Sequence, residues 1–197
     1  MNKITFVTSN KNKFLTLKNK LRGVDICLER ADIDLVEPQL PTIKQVAESK
    51  AKQSLSILKK PVLVNDSGLT IPSLNDFPGP YTKYISEKIG NQGILDLLKD
   101  KSDRTAYLEQ VFCYADSNQI ICFSDKVRGH ILTAETNLGN TKKWGEIWNI
   151  FAPGASNISR SCMSDEEYFN LRPAIQIGSA WDELISFLIK ITDKQNV

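Results

Sequence analysis

Hydrophobic and polar positions along this chain switch repeatedly between a period of two and a period near 3.6, which outlines an α/β protein. Lys3-Ile4-Thr5-Phe6-Val7-Thr8-Ser9 reads as the first strand. Phe14, Leu17 and Leu21 then fall at helical spacing, behind an N-cap offered by Ser9 or Asn10, and Gly23 stops that helix. Val24 to Leu28 returns to a strand pattern. From Thr42, the positions Ile43, Val46, Ala47, Ala51, Leu55 and Leu58 line one face of an amphipathic helix, with Pro41 and Thr42 as starting residues. Pro61-Val62-Leu63-Val64 is too short and too β-branched for a helix and reads as a buried strand. It ends in Asn65-Asp66-Ser67-Gly68, four polar or turn-forming residues at the strand's C-terminal mouth.

Gly79-Pro80-Tyr81 opens a helix through Ile89. Gly90 ends it, and Asn91 caps another running to about Leu98. From Arg104 the texture is β: Tyr107 to Ala115 and Ile120 to Phe123 are joined by Asp116-Ser117-Asn118-Gln119, a hairpin signal. Asp125 to Glu135 continues as another strand, with Gly129 as a bulge. A looser stretch, Asn137 to Lys143, leads into Trp144 to Phe151, and Pro153-Gly154 turns the chain. Ser164-Asp165-Glu166-Glu167 starts a short helix. The last helix runs from Pro173 to Ile191, with Ile177, Trp181, Leu184, Leu188 and Ile191 on its apolar face. There is no repeat, low-complexity tract or long linker. The pattern predicts one domain over residues 1–197, an elongated mixed β-sheet with flanking helices whose two lobes frame a cleft.

Composition narrows the partners. With 197 residues, 41% hydrophobic and 24% charged, the chain has enough apolar material for an ordinary core. A formal net charge of +2 gives no argument for a nucleic-acid or membrane partner. No apolar run is long enough to span a bilayer, and Met1-Asn2-Lys3 leads straight into a strand rather than a signal peptide. Cys27, Cys113, Cys122 and Cys162 show no metal-ligand spacing. Cys113 and Cys122 lie in apolar runs, so buried free thiols in a reducing, cytoplasmic setting are expected. His130 is the only histidine, which leaves little for a His-rich zinc site or a Ser-His-Asp triad.

Candidate chemistry concentrates in three stretches. At a strand mouth, Asp66 can hold a divalent cation or take a proton from water, and Gly68 would let backbone approach a ligand. The plain alternative is a capped turn in which Asp66 bonds nearby amides. The junction Thr8-Ser9-Asn10-Lys11-Asn12-Lys13 lies between a strand and a helix N-terminus, where free N–H groups and two lysines favour an anion. It lacks the glycines of a Walker A loop, and a solvated helix start is the competing reading. Lys50 lies on or beside an apolar stripe, where it either snorkels past the core or reaches into a site. Glu37, in a loop before Pro38, is either a metal ligand or a surface acid.

Taken together, these stretches resemble the inosine triphosphate pyrophosphatase family. The Thr8 to Lys13 loop is similar to that family's Thr-Gly-Asn-x-x-Lys phosphate loop, with Ser9 in place of glycine. Family members carry an acid where Glu37 stands and a lysine where Lys50 stands. Val64-Asn65-Asp66-Ser67-Gly68-Leu69 is similar to their Asp-Asp-Ser-Gly-Leu, and Pro78-Gly79-Pro80-Tyr81 matches their Pro-Gly-x-Tyr. The C-terminal third departs. Lys143 to Pro153 stands in place of Gly-Phe-Gly-Tyr-Asp-Pro-x-Phe-x-Pro, without its Asp-Pro. Glu166-Glu167-Tyr168 lacks the family's lysine, and Asn170-Leu171-Arg172 keeps only the arginine of a Ser-His-Arg triplet.

The resemblance implies an Mg²⁺-dependent enzyme that binds a nucleoside triphosphate in its cleft and hydrolyses it to monophosphate and pyrophosphate, working as a homodimer. It places Glu37 and Asp66 on the metal, and Asp66 and Lys13 in catalysis, with Asp66 orienting or deprotonating water. Thr8, Ser9, Asn10, Lys13, Lys50, Ser67 and Gly68 would hold the phosphates. Trp144, Trp148 and Phe151 would stack on the base and Arg172 would donate to a 6-oxo group. The competing reading puts Trp148 and Phe151 in the core and Arg172 on the surface. Asn65 removes one charge from the metal's surroundings. Two other functions remain open: a pyrophosphatase for pyrimidine or modified nucleotides, and a catalytically impaired nucleotide-binding module.

Overall fold

A computed structural model describes residues 2–136 and 145–193. In chain order the elements are β1 (Asn2–Val7), α1 (Lys11–Lys20), β2 (Ile26–Ala31), α2 (Ile43–Leu58), β3 (Val62–Ile71), β4 (Phe77–Gly79), α3 (Thr82–Leu97), β5 (Thr105–Ala115), β6 (Ile120–Ile131), β7 (Phe151–Pro153), α4 (Asp165–Ile175), β8 (Gln176–Gly178) and α5 (Ala180–Asp193). Local capping chemistry sets several helix starts. Thr42 accepts from the Gln45 N–H at the head of α2, and Ser164 with Glu167 forms a reciprocal capping box on α4. The sheet is mixed, ordered β2-β1-β3-β5-β6-β7, with β4 on β3 and β8 on β6. β1 runs parallel to both β2 and β3, while β6 is antiparallel to β7 and β8. No helix among the described residues is long and apolar enough to cross a membrane.

Several boundaries differ from the sequence pattern. β3 does not stop at Val64 but continues to Ile71, so Asn65-Asp66-Ser67-Gly68 is strand rather than turn. Pairing of Leu69, Thr70 and Ile71 with β4 carries the strand through residues that favour turns locally. Gly68 accordingly has no left-handed backbone to provide. Ile120 to Phe123 and the start of the next predicted strand form one continuous β6. Gly129 sits in regular register opposite Pro153 rather than in a bulge. Its lack of a side chain serves close approach, since a Cβ there would overlap the Ala152 carbonyl oxygen and the Phe151 ring. Gly90, with φ of 62°, breaks α3 as expected. Asn91 is no cap, because its buried amide donates to Glu135 at 3.0 Å and to the Glu146 carbonyl at 2.8 Å. The C-terminal helix begins at Ala180. Pro173 lies inside α4, and Ile177 is an exposed residue of β8. Cys113 and Cys122, expected as free thiols, form a disulfide; they lie on strands that the 116–119 turn folds side by side. Among the described residues, Cys27 and Cys162 take no part in a disulfide.

The chain divides into two compact units. The first comprises Met1–Asp66, Gln110–Ser124 and Ser179–Val197, the second Ser67–Glu109 and Asp125–Gly178. In the first unit β1, β3 and β5 bury residues on both faces, and their alternation sorts two cores. Ile4, Phe6, Leu63, Phe112 and Tyr114 pack with Leu17 and Leu21 of the α1 segment and with Leu184 and Leu188 of α5. Their neighbours Val7, Val62, Val64, Val111 and Cys113 point the other way, onto Ile43, Ala47 and Ala51 of α2. Each large side chain so buried contributes about 1.5–3 kcal/mol. The second unit has its own core of Leu69, Ile71, Ile94, Leu98, Val127, Ile131, Ile150 and Phe151.

Candidate active site

The parallel register in the first unit pairs Val7 with Ala31 on one side and Val64 on the other. The carboxyl ends of β1 and β2 therefore lie level with Asn65 and Asp66, and the loop after β1 begins beside them. The Thr8 N–H extends the ladder to the Ala31 carbonyl at 2.9 Å. Asn10, not Ser9, is the N-cap of α1: its Oδ1 accepts from the N–H groups of Asn12 at 2.9 Å and Lys13 at 3.1 Å. The Asn10 N–H is in turn donated to Thr8 Oγ1 at 3.1 Å. Three of the amides a phosphate would seek are thus bonded within the turn, which leaves charge attraction more dependent on the lysines. From β2, Arg30 Nη1 donates to the carbonyl oxygens of both Thr8 and Ser9, at 3.2 and 3.3 Å, and holds the loop's backbone.

Beside this loop, α2 projects Lys50 toward two carboxylates. Its Nζ lies 2.7 Å from Glu37 Oε1 and 3.3 Å from Asp66 Oδ2. Lys50 and Asp66 are mostly buried, whereas the Glu37 side chain is 69% exposed. Burial disfavours the Lys50 charge, but attraction to Asp66 and the bond and attraction to Glu37 outweigh it, so its pKa rises above that of an ordinary lysine. Lys13 shares the field with a different outcome. Burial pushes its pKa down, Asp66 opposes that fall and the Lys50 charge adds to it. Lys50, Glu37 and Asp66 are therefore gathered in one small group, with Lys13 within the electrostatic reach of Asp66 and Lys50. Glu37 owes its place to Gln53, one helical turn beyond Lys50, whose amide bonds the Val36 backbone in both directions at 2.8 and 3.0 Å.

Asn65 takes a different part from its neighbour. Its Nδ2 donates to the Val111 carbonyl on β5 at 3.1 Å, so the amide is committed to the sheet rather than to the carboxylates. Ser67 is exposed and Gly68 buried, both in extended backbone.

The donor set fits a magnesium ion of one particular kind. Glu37 and Asp66 reach the same ammonium and so stand no farther apart than those two contacts allow. Mg²⁺ commonly takes one or two carboxylates and completes its shell with phosphate oxygens and water. Among the described residues no group of three or more His, Cys, Asp or Glu side chains is placed to hold a metal. The pair suits an ion that arrives with phosphate, not one held in an all-protein cage.

The residues proposed for the base lie in the second unit. Phe151 is fully buried in that unit's core, so its ring has no free face for stacking. The Trp148 ring carries the Arg160 guanidinium at 4.6 Å from its centroid, and the Tyr168 ring lies 4.2 Å from the same group. Arg160 also bonds Asp165 at 2.6 Å and the Met163 carbonyl at 3.0 Å. Arg172 is no surface cation: it donates to the buried Asp125 at 3.3 Å, beside Gln176 at 3.2 Å. Burial raises the Tyr168 pKa, with Arg172 and Arg160 pulling it back, so its phenol stays protonated at neutral pH. Trp144 lies outside the described residues.

Pattern reading missed Arg30, Gln53 and Arg160. Gln53 follows Lys50 by three positions, which puts both on one side of α2, and that spacing was the available signal. Arg30 and Arg160 left none, because their partners lie on other elements.

Known proteins share both sequence and fold with this chain. The description of the Ham1 family matches residues 4–169. A dITP/XTP pyrophosphatase of Methanopyrus kandleri is 38% identical over 130 residues, covering 66% of this chain and 69% of that protein. Inosine triphosphate pyrophosphatase 1 of Trypanosoma cruzi is 34% identical over 174 residues, covering 87% and 86%. Among solved structures, a HAM1 protein from Coxiella burnetii superimposes with a TM-score of 0.82 at 21% identity, over 96% of this chain and all of that one, which establishes the common fold. With its family pattern spanning most of its length and relatives aligned across most of theirs, the chain belongs to the Ham1 family.

Proposed function

We propose that this chain is a nucleoside triphosphate pyrophosphohydrolase, acting with Mg²⁺ on purine nucleoside triphosphates of the inosine and xanthosine type. The observation that carries the reading is the grouping of Lys50, Glu37 and Asp66 beside the carboxyl ends of the parallel strands β1 and β2, within electrostatic reach of Lys13. The names of relatives that cover most of their own length with this chain support the substrate class.

The reaction breaks the bridging bond between the α- and β-phosphates and forms a bond from water oxygen to the α-phosphorus. A proton leaves the water, and pyrophosphate departs. Lys13 and Lys50 bind the phosphate chain and offset its charge. Asp66 orients the water and accepts its proton. Glu37 and Asp66 would hold the ion, which when bound supplies charge neutralisation at the phosphates. Arg30 and the Asn10 cap keep the loop in shape so that Lys13 meets the chain in a fixed place.

A pyrophosphate-release screen with Mg²⁺ over standard, deaminated and modified triphosphates tests this. Release of pyrophosphate with monophosphate, fastest for inosine or xanthosine triphosphate, is the expected result. Release of orthophosphate instead, or no turnover of any triphosphate, overturns it.

A further inference from the structure

We propose that Lys50 is an exchangeable internal counter-ion: it clasps Glu37 and Asp66 until a phosphate chain draws it off, so that divalent cation and phosphate enter together. The idea rests on the assignment of Glu37 and Asp66 as the cation's ligands. Lys50 Nζ occupies the place between the two carboxylates, 2.7 and 3.3 Å from their oxygens, that a shared cation would take. Lys50 bridges both carboxylates, so an ammonium already offsets part of their charge. A free divalent ion must displace or repel a buried ammonium to enter. Its binding alone is weak for that reason.

A phosphate chain changes the balance. It carries more negative charge than the two carboxylates, and the compact ammonium sits on a flexible four-carbon stem with three donors. Lys50 can transfer to it while leaving both carboxylates ionised and open to the metal. Glu37 does not collapse when its lysine partner leaves, because Gln53 holds the adjoining Val36 backbone independently. The exposed Glu37 carboxylate is the entry side, and the shielded Asp66 the inner one. By linkage, whatever the phosphate adds to metal affinity the metal returns to phosphate affinity.

The test is Lys50→Met, which keeps the stem and removes the charge. Binding of Mn²⁺ alone, without nucleotide, is followed by electron paramagnetic resonance. The expected result is Mn²⁺ affinity higher than wild type by about tenfold, together with weaker binding of pyrophosphate in the presence of chelator. Unchanged or weaker Mn²⁺ binding overturns the proposal. If the variant does not fold, NMR of the lysine ammonium groups in the wild-type protein decides it. The Lys50 signal moves when pyrophosphate is added in chelator, and an unmoved signal overturns the exchange. A wild-type protein that hydrolyses triphosphates with metal while failing these tests loses the exchange alone. One that hydrolyses none loses the functional reading.

Discussion

Gln53 grips the backbone of Val36 from both sides, donating from Nε2 to the carbonyl at 2.8 Å and accepting the N–H on Oε1 at 3.0 Å. A side-chain amide here does what a neighbouring strand would do for an otherwise irregular loop, and Glu37 is the next residue along. Gln53→Ala should lower kcat/KM by about tenfold through loss of positioning, with a stability loss of only about 1 kcal/mol. Gln53→Glu keeps the acceptor and loses the donor, so an intermediate effect is expected. Steady-state kinetics beside thermal melts separate the two roles. An unchanged kcat/KM in Gln53→Ala would show that Glu37 is held by other means.

Asp66→Asn tests the carboxylate without altering shape. The amide can keep the strand and lie near Lys50, but it cannot take a proton or match the charge of Glu37. Activity should fall on the order of a hundredfold or more, with circular dichroism unchanged. Wild-type turnover would make Asp66 structural.

Lys13 should announce itself through pH. Its pKa lies below that of an ordinary lysine because burial disfavours the charge, so the ammonium is lost earlier as pH rises. Pyrophosphate affinity should therefore decline in a less alkaline range than an exposed lysine would give, and Lys13→Ala should flatten that limb. The stability sign is opposite. The unfolded chain binds more protons between the lowered and the ordinary value, so this group's contribution to stability rises with pH across that window. Calorimetric binding from neutral to alkaline pH checks the first statement, and denaturant melts the second.

Asn65→Asp supplies the acid that the family resemblance leads one to expect at this position, yet should not help. The amide donates to the Val111 carbonyl at 3.1 Å, and a carboxylate would present oxygen to oxygen there. A stability loss of about 1–3 kcal/mol is expected from the lost donation and the unpaired acceptor, with no gain in metal affinity. Urea melts and Mn²⁺ titration check both, and a tighter metal site would mean that residue 65 turns toward Asp66.

Arg160 packs between Trp148 and Tyr168 as a scaffold. Arg160→Lys keeps the charge but not the flat, stacking guanidinium, so melting temperature should fall. The kcat/KM values for inosine and adenosine triphosphates should then change by similar factors. A selective loss for inosine triphosphate would instead make Arg160 a reader of the base.

The sequence by itself determined what adjacent residues determine. Alternation in β1 and β5 sorted Phe6 from Val7 and Phe112 from Cys113, because successive strand residues face opposite ways. Helical spacing located α1, α2 and the apolar face of α5 from Trp181 to Ile191. The Asn10 cap, Lys50 and Asp66 stood out in the sequence because each is a cap or charge placed against a local break in pattern. Only the tertiary structure decided the rest. Asn65 to Gly68 favour a turn by local preference, and it was pairing with β4 and the Asn65 bond to β5 that drew them out as strand. Pro173 to Ile191 looked like one helix until Gln176 to Gly178 paired with β6. The bond between Cys113 and Cys122, the Gln53 hold on Val36 and the Arg160 stack each join groups that only folding brings side by side. Periodicity records which way a residue faces. Its partner across the fold is chosen by sheet register and packing, which no short window of sequence contains.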